Sequence, residues 1–229
     1  MKILYSLYLY FIAFLYFIVA GPILLIIGIL LPKYIYKFGR WFSLGIFKCF
    51  RIKYEIIGEF PDNGPYIMMH NHSSFLDLFF LPLVIKGKYT GVVAKKNFNI
   101  PLLGLLLNRF KAIPIQRSGA IKKSINSLKI AESRIQTGYH VAIFPEGTRT
   151  LNGKLSEFKK GGFHMALNTK TKILPITVKG LYDIKPRNRF TIIPGKATMI
   201  IKSPIEIKNK TVDDIMEETY NAISENIND

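Results

Sequence analysis

The sequence predicts an α/β domain, a sheet flanked by helices, preceded by an N-terminal membrane-embedded helical segment. No charged residue occurs from Ile3 to Leu31. At helical rise such a run extends about 43 Å, more than the roughly 30 Å hydrocarbon core of a bilayer. Beyond Arg51 the pattern changes to short apolar runs alternating with amphipathic stretches, as expected of a sheet covered by helices. A length of 229 residues accommodates one such domain and an appendage. The expected division is an anchor with interfacial helices over 1–50 and a globular domain over 51–229.

The 32 basic and 15 acidic residues leave a net charge of +17, and the sequence pI near 9.9 points to polyanionic partners, either nucleic acid or anionic lipid. Mean hydropathy is +0.20 despite this charge, so apolar residues must be concentrated, and they are, at the N-terminus. The one cysteine, Cys49, excludes an intrachain disulfide and a cysteine-rich metal site. Nothing near it in sequence would activate a thiol.

The apolar run is too long for a cleavable signal peptide, and no small-x-small site follows it. Gly21-Pro22 divides it, which predicts either one tilted, kinked span or two shorter helices forming a hairpin within one leaflet. Lys33, Lys37 and Arg40 follow the run while only Lys2 and the terminal amine precede it, placing the domain on the cytoplasmic face. Residues 34 to 50 mix aromatics with Lys and Arg, as an interfacial helix does, or as a helix packed on the domain would.

Strands are expected at Ile52–Ile57 and Pro65–Met69, with Gly58 and Pro61-Asp-Asn-Gly64 turning between them. Further strands are expected at Gly91–Lys95, Ala112–Gln116, His140–Phe144, Ile173–Val178, Phe190–Ile193 and Thr198–Ile201. Ile121, Ile125, Leu128, Ala131 and Ile135 recur at helical spacing, ending at Gly138. From Thr211 a capping box with Asp214 in third position opens a short acidic helix. There is no internal repeat, low-complexity segment or long linker.

Chemistry concentrates where the apolar run from Tyr66 ends in Asn71-His72-Ser-Ser-Phe-Leu-Asp77. An imidazole titrates near neutrality, and a nearby carboxylate fixes its tautomer and stabilises the imidazolium. Five residues apart on a helix they would diverge by about 140°, so the pair meets only if the chain turns between them. Ser73 and Ser74 suit that turn and would cap a helix starting near Phe75. The same residues also read as a capped helix with two incidental polar side chains. Phe144-Pro-Glu-Gly-Thr-Arg149 leaves a second strand, with Pro145 and Gly147 shaping a turn and Glu146 and Arg149 projecting from the carboxyl edge of the sheet. Arginine there suits bidentate capture of phosphate. In Phe158-Lys-Lys-Gly-Gly162, Lys159 and Lys160 stand beside glycines whose amides an anion can approach.

The His-x4-Asp block and the Phe144–Arg149 block together resemble the glycerolipid acyltransferase family, that of the 1-acyl-glycerol-3-phosphate acyltransferases. The resemblance runs from about Tyr66 to Val178, with a third block ending in Arg117 and a fourth at Leu174-Pro-Ile-Thr-Val178. Family members often carry a glycine well before that arginine, whereas this chain has Ala112-Ile-Pro-Ile-Gln-Arg117. The resemblance implies a mixed, largely parallel sheet and acyl transfer from a thioester to the 2-hydroxyl of 1-acyl-glycerol 3-phosphate, giving phosphatidic acid without an acyl-enzyme. His72 would be the general base and Asp77 its orienter. Arg149, Arg117, Lys159 and Lys160 would hold the acceptor phosphate, and Glu146 and Gly147 would shape the acceptor pocket. Acyl carrier protein or coenzyme A would carry the donor, with no cofactor and no metal. The partners implied are membrane lipids and an anionic bilayer surface.

Three alternatives use the same residues. Relatives acylate glycerol 3-phosphate, other lysophospholipids or lyso-aminolipids. A metal site could draw on His70, His72, Asp77 and Glu146, though no convincing further ligands are present. A basic membrane-tethered binding protein without turnover fits the charge. Nucleic acid is not expected as its partner, because the aromatics cluster in the membrane segment instead of interleaving with basic residues.

Overall fold

The computed structural model describes residues 1–115 and 121–227, the side chains of residues 121–125 excepted. Arg117 lies outside the described residues. Seven strands, β1 (Lys53–Ile57), β2 (Ile67–His70), β3 (Tyr89–Ala94), β4 (Ile113–Ile115), β5 (His140–Ile143), β6 (Ile173–Lys179) and β7 (Lys196–Ile201), form one sheet. Its order is β1-β7-β6-β2-β5-β3-β4. The run from β6 to β4 is parallel throughout. β7 is antiparallel to β6, and β1 is parallel to β7. The sheet is therefore mixed and largely parallel. β1 and β2 are not neighbours, so Pro61–Gly64 belongs to a crossover past β7 and β6 and not to a turn joining paired strands.

β2 and β6 lie near the centre and are buried almost throughout, hence their continuous apolar runs. Alternate residues divide between two cores. Met68, Leu174, Ile176 and Val178 face α1 (Lys2–Leu30), α2 (Ile35–Cys49), α3 (Asp77–Phe80) and α7 (Leu181–Ile184). Ile67, Met69, Val141 and Ile173 face α5 (Ile121–Gln136), α6 (Gly161–Thr169) and α8 (Val212–Ser224). α4 (Leu103–Arg109) packs against α1. The capping box of α8 has both halves: Thr211 Oγ1 accepts from Asp214 N at 3.2 Å, and Asp214 Oδ2 from Thr211 N at 2.8 Å.

α1 is one continuous helix with Pro22 inside it, not two helices divided at Gly21-Pro22. One face docks along the domain through Ser6, Leu9, Ala13, Ala20, Gly21, Leu24 and Gly28, while Phe11, Phe14, Ile18, Ile26 and Leu30 are exposed on the other. Contact is made at both ends. Near the start, Ile192 N donates to Ser6 Oγ at 3.0 Å and Tyr10 OH to Phe190 O at 2.9 Å. Near the end, α1 packs on α4, where a Cβ on Gly28 would stand 3.4 Å from Arg109 Cβ. The Phe190–Ile193 strand expected from sequence is not formed. That segment is irregular, and α1 side chains replace a neighbouring strand as partners of its backbone.

Candidate active site

The turn on which the His72–Asp77 contact depends is closed by the carboxylate itself. Asp77 is fully buried, and its Oδ2 accepts from His72 Nδ1 at 2.8 Å, Ser73 N at 2.9 Å and Ser74 N at 3.0 Å. Helix α3 begins at Asp77, so Ser73 and Ser74 contribute backbone amides and do not cap a helix starting at Phe75. Upstream, Asn71 locks the end of β2 to β6: its Nδ2 donates to Val178 O and its Oδ1 accepts from Val178 N, both at 2.8 Å. The His72 ring stacks on Phe144 with centroids 3.6 Å apart, and its side chain is 13% exposed. With Nδ1–H donated to Asp77, Nε2 is the nitrogen left to take a proton.

Glu146 does not project from the sheet edge. It is buried, its Oε1 accepting from His72 N at 2.7 Å and its Oε2 from Ser156 N at 2.9 Å. Burial raises its pKa while the two amides oppose the rise. Thr150 N donates to His72 O at 2.9 Å, so the 144–150 segment holds His72 by both backbone groups. Glu146 thus holds the His72 backbone in place, and both of its oxygens are occupied by backbone amides.

Gly147 has φ +71°, and its bare α-carbon gives Lys159 its bed: a Cβ there would stand 3.0 Å from Lys159 Cε. Lys159 stays at the site, its N donating to Pro145 O at 2.9 Å. Lys160, expected beside it as a phosphate ligand, turns away and pairs with Asp213 at 2.6 Å, where the acidic first turn of α8 attracts a cation. Arg149 is half-buried and close enough to Lys185 to act on it. The Lys185 pKa is pushed down first by burial and then by Arg149 and Arg189.

This cationic arm was missed in the sequence. Ser74 Oγ donates to Lys185 O at 2.7 Å, and Arg187 Nη1 to Thr148 Oγ1 at 3.1 Å, fastening it to both motifs. The signal that would have found it is the basic run Lys185-Pro-Arg-Asn-Arg189 just after the fourth block.

His70 is fully buried, with Nδ1 3.0 Å from Asn71 O, and burial lowers its pKa to about 4. Among the described residues no three His, Cys, Asp or Glu side chains converge as a metal would require. A neutral buried imidazole contributes stability above its unfolded pKa near 6.5, and that stability is lost as pH falls from there toward 4. His70→Asn is expected to flatten the acid limb of unfolding free energy against pH by up to about 1.4 kcal/mol per unit. His140, lowered by burial, keeps its own share of the slope, and Glu146 acts in the opposite direction in both proteins. An unchanged slope in denaturant titrations from pH 6.5 to 4 would refute this.

An apolar cavity opens under the dyad loop. Leu78 and Phe79, the residues following Asp77, form part of its wall, with Phe42 from α2, Thr90 from β3 and Leu106 and Phe110 at α4. On the other face of the sheet, Ile115, Pro145, Gly147 and Lys159 line a groove.

The site is thus an Asp–His pair at the carboxyl edge of a largely parallel sheet, with an apolar cavity beside its loop. The chain belongs to the family described as Acyltransferase, whose model matches residues 51–179. It is 32% identical over 168 residues to the chloroplastic 1-acyl-sn-glycerol-3-phosphate acyltransferase LPAT1 of Arabidopsis thaliana, covering 72% of this chain and 46% of that one. It is 34% identical over 175 residues to the 1-acyl-sn-glycerol-3-phosphate acyltransferase of Cocos nucifera, covering 75% and 54%. To the alpha enzyme of that name in Homo sapiens it is 29% identical over 183 residues, covering 78% and 64%. The chain thus spans about half to two-thirds of the length of these relatives. The fold is also that of the 1-acyl-sn-glycerophosphate (LPA) acyltransferase PlsC from Thermotoga maritima, with a TM-score of 0.88 at 23% identity over 99% of this chain and 95% of that one.

Proposed function

We propose that the protein transfers an acyl chain from an acyl thioester to the 2-hydroxyl of 1-acyl-glycerol 3-phosphate, giving phosphatidic acid. The observation that carries this reading is the His72–Asp77 pair, 2.8 Å apart, with an apolar cavity beside its loop and the Lys185 backbone bonded to Ser74 of the same loop. His72 Nε2 takes the hydroxyl proton as the oxygen attacks the thioester carbonyl. Collapse of the tetrahedral intermediate breaks the carbon–sulfur bond, and the imidazolium returns the proton to the thiolate. Asp77 stabilises the imidazolium in between. Backbone donors at the oxyanion are commonly worth about 2.7–4 kcal/mol each.

Arg149, Lys159 and Arg117 hold the acceptor phosphate, joined by Lys185 and Arg187 from the arm. The apolar cavity takes an acyl chain. The donor carrier is acyl carrier protein or coenzyme A. The exposed face of α1 enters the bilayer while the docked face keeps the domain against it. Contact with the domain at both ends of α1 favours a helix embedded in one leaflet over one that crosses it. The catalytic domain lies on the cytoplasmic face.

The test is a lipid-product assay on the purified chain with 1-acyl-glycerol 3-phosphate and acyl thioesters of both carriers. Phosphatidic acid is the expected product. Product only from glycerol 3-phosphate, another lysophospholipid or a lyso-aminolipid would replace the acceptor. No product from any of them, with retained binding to anionic vesicles, would leave the non-catalytic binding protein. In the same assay Arg149→Ala is expected to raise the acceptor KM roughly 10- to 100-fold, the scale of a charged hydrogen bond worth about 1.5–3 kcal/mol. An unchanged KM would refute phosphate binding there.

A further inference from the structure

The sheet edge opposite His72 carries a second cavity of different character. Lys88 and Tyr139 stand before the first residues of β3 and β5, whereas His72 and Phe144 follow the last residues of β2 and β5, so the length of a strand separates the two sites. Lys33 after α1, Lys88, and Arg109 with Lys111 at the end of α4 reach this cavity from three chain segments. Its lining holds no Asp or Glu. None of the four cations pairs with a carboxylate among the described residues. Tyr139 stands between Lys88 Nζ, 5.7 Å from its ring centroid, and Tyr36, whose ring meets it edge-on at 6.4 Å.

The C-terminus of α1 favours one nearby cation such as Lys33 through its carbonyl dipoles. It does not account for three more, brought in by other segments, whose mutual repulsion an anion would relieve. Gly28 lies in the lining, and the neighbouring Ile26, Ile29, Leu30 and Leu31 are exposed. A cationic cavity joined to an uncovered apolar helix end has the two chemistries of a phospholipid, a phosphate and its chains.

We propose that this cavity binds the headgroup phosphate of an anionic phospholipid as a resident, non-substrate ligand, with the acyl chains lying along the exposed end of α1. The site rests on the membrane attachment proposed above and not on acyl transfer. Such a lipid would hold the C-terminal end of α1 at the bilayer surface, and each cation near the surface adds to its retention.

The test uses the full chain in neutral detergent, with bound phosphatidylglycerol counted by native mass spectrometry, and sedimentation with phosphatidylcholine vesicles with and without phosphatidylglycerol. Wild type is expected to retain one phosphatidylglycerol. The double variant Arg109→Gln, Lys111→Gln should retain it roughly tenfold more weakly or worse, with an unchanged unfolding midpoint. The control Lys170→Gln, Lys208→Gln removes two exposed charges from the elements on the opposite face of the sheet and should behave as wild type. Equal loss in the control would mean diffuse surface charge and overturn the proposal. Displacement of the lipid by inorganic phosphate or glycerol 3-phosphate at comparable concentration would also overturn it, in favour of a soluble phosphate ligand. Wild type that sediments with no vesicle refutes the attachment itself. Wild type that sediments, with lipid retention indifferent to the double variant, refutes only this site.

Discussion

His72→Ala is expected to lower turnover by about 10²–10⁴-fold, the range for loss of a positioned general base, while fold and membrane attachment survive. The side chain is only 13% exposed, but removing it deletes one ring stack on Phe144 and one of three donors to Asp77. The amides of Ser73 and Ser74 still donate to Asp77 Oδ2. The fall should appear in kcat with the acceptor KM little changed, because the cations lie on other segments. Steady-state rates with vesicle sedimentation on one preparation check both halves. Turnover within a few-fold of wild type would exclude His72 as the base.

Replacing Asp77 separates charge from architecture. All three donors converge on Oδ2, so in Asp77→Asn the amide oxygen can take that place, accepting from both serine amides and from His72 while the negative charge is gone. Turnover is expected to fall about 10³-fold or more, on the scale known for loss of the carboxylate in a Ser-His-Asp triad, with a stability loss of about 1–3 kcal/mol because Nδ2 takes the buried, partnerless Oδ1 place. Asp77→Ala should lower turnover as far and also destabilise by several kcal/mol, because two buried amides lose their acceptor at about 1–3 kcal/mol each. Kinetics and denaturant unfolding of the pair decide it. Full activity in Asp77→Asn would show that geometry alone orients the base.

Much of this site was legible because its chemistry is local. Asn71, His72 and Asp77 lie within seven residues, and a chain that turns there can bring base and carboxylate together whatever else the fold does. The positive-φ turn at Gly147, the capping box at Thr211 and the apolar run of α1 were legible for the same reason. The inward turn of Glu146 was not, because its partners are the backbone amides of His72 and Ser156, and one of them is 74 residues away. Lys159 and Lys160 are adjacent and chemically identical in sequence. Only the placement of Asp213 sends one to α8 while Gly147 keeps the other at the site.

The strand pattern had the same limit. Residue periodicity reports that a face is buried, not what buries it. It therefore located β1 and β2 correctly but could not place β7 and β6 between them, and it read Phe190–Ile193 as a strand when α1 was the partner of that backbone. The sequence likewise left open whether α1 continues through Pro22, and the structure shows one helix packed along α2 and α4. By itself the sequence determined an apolar N-terminal helix, an α/β domain and a His–Asp pair at a strand end, since propensity, hydropathy and short spacing are properties of contiguous residues. Tertiary structure alone decided which basic segment is fastened to the His72 loop, what holds His72 in place and how α1 meets the domain. Those depend on contacts between residues distant in the chain, whose pairing is set by the packing of the whole fold.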